Sequence, residues 1–97
     1  MTRTELMREL RALGFVRDYA LSARFLKTVG YRRAGAGRIL DVQVFADGDT
    51  DGGRGRGRVS FGRVSPDGLD EVWDTAPTYF NDLPGLHRAL EIQTKAP

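Results

Sequence analysis

One run in this chain has residue types and spacing suited to binding a cation. Asp47-Gly48-Asp49-Thr50-Asp51-Gly52 repeats the opening of a calcium loop, in which three carboxylates two residues apart converge on one ion and a glycine permits the sharp turn. The pattern stops there. Arg58 stands where the closing bidentate acid belongs, and Gly53-Arg54-Gly55 supplies no intervening ligands. Three arginines beside three aspartates neutralise one another without an ion, so the run is expected to be a polar hairpin tip and no metal is assigned. The arginines themselves, Arg54, Arg56 and Arg58, alternate with glycine as in RGG-type segments, where guanidinium groups meet phosphates. The alternation continues into Val59-Ser60-Phe61, so the same residues read equally as a row on the wet face of an edge strand, a guard against sheet-to-sheet association.

Other chemistry is sparse. His87 is the only histidine and there is no cysteine, which removes thiolate catalysis, Cys-based metal sites and any spacing-supported Ser/His pair. Asp67, Asp70, Glu71 and Asp74 lie close in sequence without the following lysine that a nuclease-type E-x-K arrangement needs, and an acidic rim is the simpler account. No set of residues combines the types and spacing that catalysis requires, so a non-enzymatic chain without a cofactor is expected. Trp73-Asp74-Thr75-Ala76-Pro77-Thr78-Tyr79-Phe80 is the candidate binding segment. It gathers the only tryptophan, a tyrosine and a phenylalanine among charged residues, the usual anchors of protein interfaces. Trp73 and Phe80 could instead close the core beneath a helix; at least one of the three aromatics is expected inside and at least one outside.

The elements that must position these residues follow from periodicity. Thr2-x-x-Glu5 has capping-box spacing, and Leu6, Met7, Leu10 and Leu13 recur at helical intervals before Gly14 and Phe15, which predicts a helix over about 3–13. Residues 18–31 fit a helical stripe through Leu21, Phe25 and Val29 or a strand face through Phe25, Lys27, Val29 and Tyr31, and a strand over about 23–33 is favoured. Arg38 to Ala46 alternates, with Leu40, Val42 and Val44 on one face and Asp41 and Gln43 on the other; Phe45 falls on the polar face and needs cover. Residues 54–63 resume the alternation after the Asp/Gly tip, Ser65-Pro66-Asp67-Gly68 makes a turn, and Leu69 to Trp73 predicts a short fourth strand. Thr75 to Asn81 reads as an ordered loop. Asp82 then caps a last helix with Pro84 in its first turn, Leu83, Leu86, Ala89 and Leu90 on its apolar side, and Phe80 packing against its start. The expected fold is a single α+β domain over residues 1–97, an antiparallel sheet of three to four strands packed against an N-terminal and a C-terminal helix.

Composition narrows the setting. A chain of 97 residues has surface enough for one core only. The net charge of +2 hides a polarity: residues 1–38 hold nine Arg/Lys against three acids (+6), and residues 39–97 hold six against ten (−4). Thirteen of the 15 basic residues are arginine, a bias that suits planar contacts or reflects a GC-rich genome. The absence of cysteine, a charged N-terminus and the lack of any long apolar stretch together predict a reducing compartment, with no signal peptide and no membrane span.

The helix, strands, helix order resembles the double-stranded RNA-binding domain, but that family places a basic cluster at the start of its last helix, where this chain has Asn81-Asp82-Leu83-Pro84-Gly85. The run Arg38-Ile39-Leu40-Asp41-Val42-Gln43-Val44-Phe45-Ala46-Asp47-Gly48, with Asp74-Thr75-Ala76-Pro77-Thr78-Tyr79-Phe80 and a closing helix, resembles small proteins encoded by bacteriophages and prophages. That resemblance covers the C-terminal two-thirds. It implies a cytoplasmic protein of a host bacterial cell and an anti-defence role of the anti-CRISPR kind, in which a small inhibitor occludes a surface of a host nuclease complex. Many such inhibitors are acidic mimics of nucleic acid, whereas this chain is slightly basic, which leaves direct binding to a host protein or nucleoprotein complex through Trp73, Tyr79, Phe80 and the arginines. The alternative is a nucleic-acid-binding accessory protein that uses Arg54, Arg56 and Arg58.

Overall fold

The structure, a computed structural model, describes residues 2–18, 28–73 and 76–95. Helix α1 (Arg3–Ala12) starts where Thr2 Oγ1 accepts the Glu5 N–H at 3.2 Å. It ends in paired reversed bonds: the Phe15 N–H donates to the Leu10 carbonyl at 2.9 Å and the Gly14 N–H to that of Arg11 at 3.1 Å. Arg33 Nη1 satisfies a further carbonyl of that end, Leu13 O, at 3.0 Å while its guanidinium lies over the Phe15 ring. The chain then forms β1 (Val16–Asp18), β2 (Val29–Gly35), β3 (Arg38–Val44), β4 (Gly57–Val64), β5 (Glu71–Trp73), β6 (Thr78–Phe80) and helix α2 (Leu83–Thr94), capped by Asp82 Oδ1 on the Gly85 N–H at 2.7 Å. The strand expected over 23–33 is β2, running from Val29 to Gly35; residues 19–27 lie outside the described ones, and with them most of the segment left open between helix and strand.

All pairings are antiparallel, in the order β1-β2-β3-β4-β5, with β6 also on β4. Among the described residues the sheet thus has six strands where three to four were expected. The additions are three-residue segments, too short to show a period: β1 directly follows the α1 cap, and β6 lies in the stretch expected to be a loop. The two short strands β5 and β6 share one side of β4, β5 opposite Gly62–Val64 and β6 opposite Gly57–Val59. Strand β4 is therefore an interior strand, and the arginine row is not the guard of a sheet edge.

The register divides the side chains between two faces. Val29, Tyr31, Leu40, Val42, Val44, Val59, Phe61 and Phe80 face the helices and pack with Leu6 and Leu10 of α1 and Leu86, Ala89 and Leu90 of α2. Two helices on one face of an antiparallel sheet is the expected architecture. The second face carries Arg32, Asp41, Gln43, Arg58, Ser60, Trp73 and Tyr79. Asp41 and Gln43 take the face the alternation assigns them, yet they are only 7% and 9% exposed, and Phe45 is covered as its position demands. Among the described residues no helix is long and apolar enough to cross a membrane.

Strand β6 docks on β4 through a missing side chain. A Cβ on Gly57 would collide with the Phe80 ring and stand 2.7 Å from the Gln43 carbonyl oxygen, while one on Gly35 would meet nothing. Gly57→Ala is expected to lower the unfolding free energy by about 2 kcal/mol or more, the cost of forcing extra volume into a packed core. Gly35→Ala is expected to change it by less than about 0.5 kcal/mol. Urea unfolding of both variants measures the difference.

Candidate functional site

The second face is built around one guanidinium. Arg32 on β2 sits opposite Asp41 on β3 and grips it with two bonds, Nε to Oδ1 at 2.9 Å and Nη2 to Oδ2 at 3.1 Å. Its Nη1 reaches Glu71 of β5 at 2.7 Å, and Asp18 of β1 lies 3.6 Å from Nε. The planar fork of arginine makes such shared carboxylate contacts possible, where an ammonium would act as a point charge. Strands β2 and β5 are three strand spacings apart, about 14 Å in a flat sheet. A 2.7 Å contact between their side chains requires the sheet to curl toward this face. The curl leaves a cavity of about 250 Å³ lined by Arg32, Asp41, Gln43, Ser60, Glu71 and Trp73.

The charges in this cluster respond to one another. The Arg32 guanidinium is pushed further up, first by its hydrogen bond to Asp41 and also by Glu71. The Asp41 carboxyl is raised above the ordinary range because burial disfavours its charge more than Arg32 restores it, with Asp18 and Glu71 adding like-charge repulsion.

Of the residues singled out in the sequence, few are free at the surface. Arg58 donates from Nε to Gln43 Oε1 at 2.7 Å, and Arg56 Nη2 donates to Asp47 Oδ1 at 2.8 Å. Arg54 is the exposed member, 3.9 Å from Asp51. The three aspartates of the hairpin tip each serve a different protein donor. Asp47 also accepts the Arg3 N–H at 3.0 Å, Asp49 accepts the Asp51 N–H at 3.0 Å, and Asp51 accepts the Tyr79 hydroxyl at 2.8 Å. Among the described residues no group of three His, Asp or Glu side chains is placed to hold a metal ion. His87 lies on α2, 3.4 Å from Glu9 of α1, on the helical side of the sheet and away from Ser60.

The aromatics divide as expected. Phe80 is buried in the core, which removes it from the binding surface, and Tyr79 is half-buried with its hydroxyl engaged. Trp73 is 42% exposed, its ring resting over Gly62, where an added Cβ would approach it to 2.8 Å. Beside it stand Leu69 at 83% and Val72 at 53%. Sequence reasoning missed the exposure of these two and the cluster that Arg32 forms with Asp41 and Glu71. Asp41 was assigned to a polar strand face and Glu71 to an acidic rim, but their meeting at Arg32 had no signal, because strands apart in sequence bring the three together.

Compared with known protein families, curated proteins and solved structures, the chain matches none.

Removing Arg32 leaves Asp41 buried without its counter-charge. Arg32→Met is expected to cost about 3 kcal/mol at neutral pH. The Asp41 pKa is raised in the folded state and rises further without Arg32, so the fold takes up a proton the unfolded chain does not hold. That stability is present at low pH and lost as pH climbs above the ordinary carboxylate value of 3.8. Urea unfolding is therefore expected to show a smaller penalty for Arg32→Met near pH 4 than near pH 7.

Proposed function

We propose that this chain is a non-catalytic binding module that acts by steric contact, covering a surface of a larger protein assembly with the β4–β5 end of its sheet. The observation that carries this reading is the exposure of large apolar side chains at this end of the sheet: Trp73 on the second face of β5, Val72 on its other face and Leu69 just before the strand. Large apolar side chains cost free energy when left in water, and a group of them rimmed by charge is the usual form of a protein contact surface. Trp73 is further supported from behind by Gly62 and flanked by the Arg32–Glu71 pair, which holds the strand in place. The resemblance to small phage proteins makes a host nuclease complex of the CRISPR type the first assembly to test, with the bacterial cytoplasm as the setting.

Binding to nucleic acid through Arg54, Arg56 and Arg58 has less behind it, since Asp47 and Gln43 already occupy two of the three guanidinium groups.

Tagged protein incubated with bacterial lysate at moderate and high salt, with nuclease added to a parallel sample, separates the two. A protein partner retained in both conditions is expected, because contacts made by desolvated apolar groups are little screened. Contacts to phosphates weaken steeply as salt rises. Trp73→Ala is expected to weaken that capture by a factor of ten or more, about 1.4 kcal/mol or above, while Arg54→Ala leaves it unchanged. Loss of capture with nuclease or salt would overturn the reading and return the site to the arginines.

A further inference from the structure

Two strand glycines face the helical side of the sheet, and the space each leaves is used differently. At Gly57 the Phe80 ring fills it, whereas a Cβ on Gly35 would meet nothing within 4 Å. Gly35 has no positive φ, so its backbone does not call for glycine. The open space belongs to a cavity of about 310 Å³ at the β2–β3 hairpin, whose lining includes Arg33, Gly35, Arg38, Leu40, Phe61 and Thr94.

The floor of this cavity is apolar, since Leu40 and Phe61 are core residues. Its rim is cationic. The register sets Arg33 opposite Leu40 and Arg38 between Gly35 and Arg63, all on the helical face, and Arg63 lies 5.9 Å from the centre of the Phe61 ring. No lining residue is acidic. Arg33 is already placed: Nη1 donates to the Leu13 carbonyl at 3.0 Å and the guanidinium lies 4.8 Å from the centre of the Phe15 ring. A guanidinium has donors on all three nitrogens, so that bond leaves most of them unused. The Arg38 side chain has no hydrogen-bond or ion-pair partner among the described residues. Elsewhere guanidinium groups meet carboxylates, Arg32 with Asp41 and Glu71 and Arg56 with Asp47. Here two of them border a cavity without one.

A fitting ligand supplies what the cavity lacks, an anion for the guanidinium groups and an apolar body over Leu40 and Phe61. The planar fork of arginine matches a carboxylate with two parallel bonds. The volume lies near the lower end of small-molecule pockets, about 300–1,000 Å³, which limits the body to the size of a fused ring pair.

We propose that the cavity at Gly35 binds a small organic carboxylate, with the anion held by Arg33 and Arg38 and the apolar body resting on Leu40 and Phe61. The site lies on the helical side, away from the face that carries Trp73, and the chain binds this ligand alone, so the inference goes beyond the contact reading and does not rest on it.

The probe is naphthoate, titrated calorimetrically into the full chain beside naphthamide, the same body without the charge, and acetate, the charge without the body. Saturable binding of naphthoate is expected, with NMR shifts at the Leu40 and Thr94 methyl groups and none at Leu83, at the far end of α2. Naphthamide and acetate are each expected to bind weaker by about tenfold or more. Arg38→Gln is expected to weaken naphthoate binding by about tenfold or more with an unchanged urea midpoint, because the side chain makes no bond in the fold. Gly35→Leu is expected to fill the cavity and abolish binding while the chain still folds, and Arg54→Gln to leave binding unchanged.

No binding of naphthoate overturns the proposal. So does equal binding of naphthamide, which would mean an apolar surface without a use for the arginines, or equal binding of acetate, which would mean a plain cationic patch. Undiminished binding by folded Arg38→Gln or Gly35→Leu would place the ligand elsewhere and overturn it as well.

Discussion

Where a Cβ on Gly57 would stand, the ring of Phe80 stands instead, and the helical side of the molecule depends on that substitution of one group for another. Because β4 gives up its side chain there, β6 can lie against it close enough to pair, and Phe80 can reach the centre of the core. Helix α2 begins three residues after Phe80, so the same contact sets where that helix starts and which face Leu86, Ala89 and Leu90 present to the sheet. The cap reinforces the placement, with Asp82 holding the Gly85 N–H, and Gln93 near the far end donates to the Thr78 hydroxyl and to the Ala76 carbonyl just before β6, tying that end of the helix to the strand.

The opposite face is held by polar means. Burying a carboxylate is expensive unless a cation and hydrogen bonds meet it, and Asp41 has both in Arg32. An apolar pair at these positions would hold β2 to β3 equally well, but it would not reach β5. The branching of one guanidinium to carboxylates on β1, β3 and β5 draws distant strands toward each other and gives the sheet its curl. The groove on this face is lined by that one charged cluster.

Much of this was legible in the residues. Both helices, their caps and the long strands β3 and β4 follow from spacing, since each runs long enough to display a period, and Leu40, Val42 and Val44 declare their face by alternation. The three-residue strands β1 and β6 escaped because nothing that short has a period; they exist through pairing with neighbours. The arginine run Arg54, Arg56 and Arg58 was legible as composition but not as geometry, because Asp47 and Gln43, brought beside it by the β3–β4 hairpin, engage two of its members. Among the aromatics, type and neighbourhood placed one inside and one outside, while only the register of β6 assigned Phe80 to the core and Tyr79 to the other face.

The order of the sheet also bears on how the chain reaches its shape. From β1 to β5 each strand pairs with the next in sequence, so most of the ladder closes over short loops and little chain entropy must be lost before a contact is made. Topologies dominated by such neighbouring contacts fold faster than those built from distant ones. The exceptions are β6, which returns to β4 past β5, and α1, whose first backbone N–H meets Asp47 across 44 residues of sequence. A meander assembled first, with β6 and the two helices closing on it afterwards, would leave the apolar face of the sheet in water for an interval, and the length of that interval rests on how readily Phe80 finds the space beside Gly57.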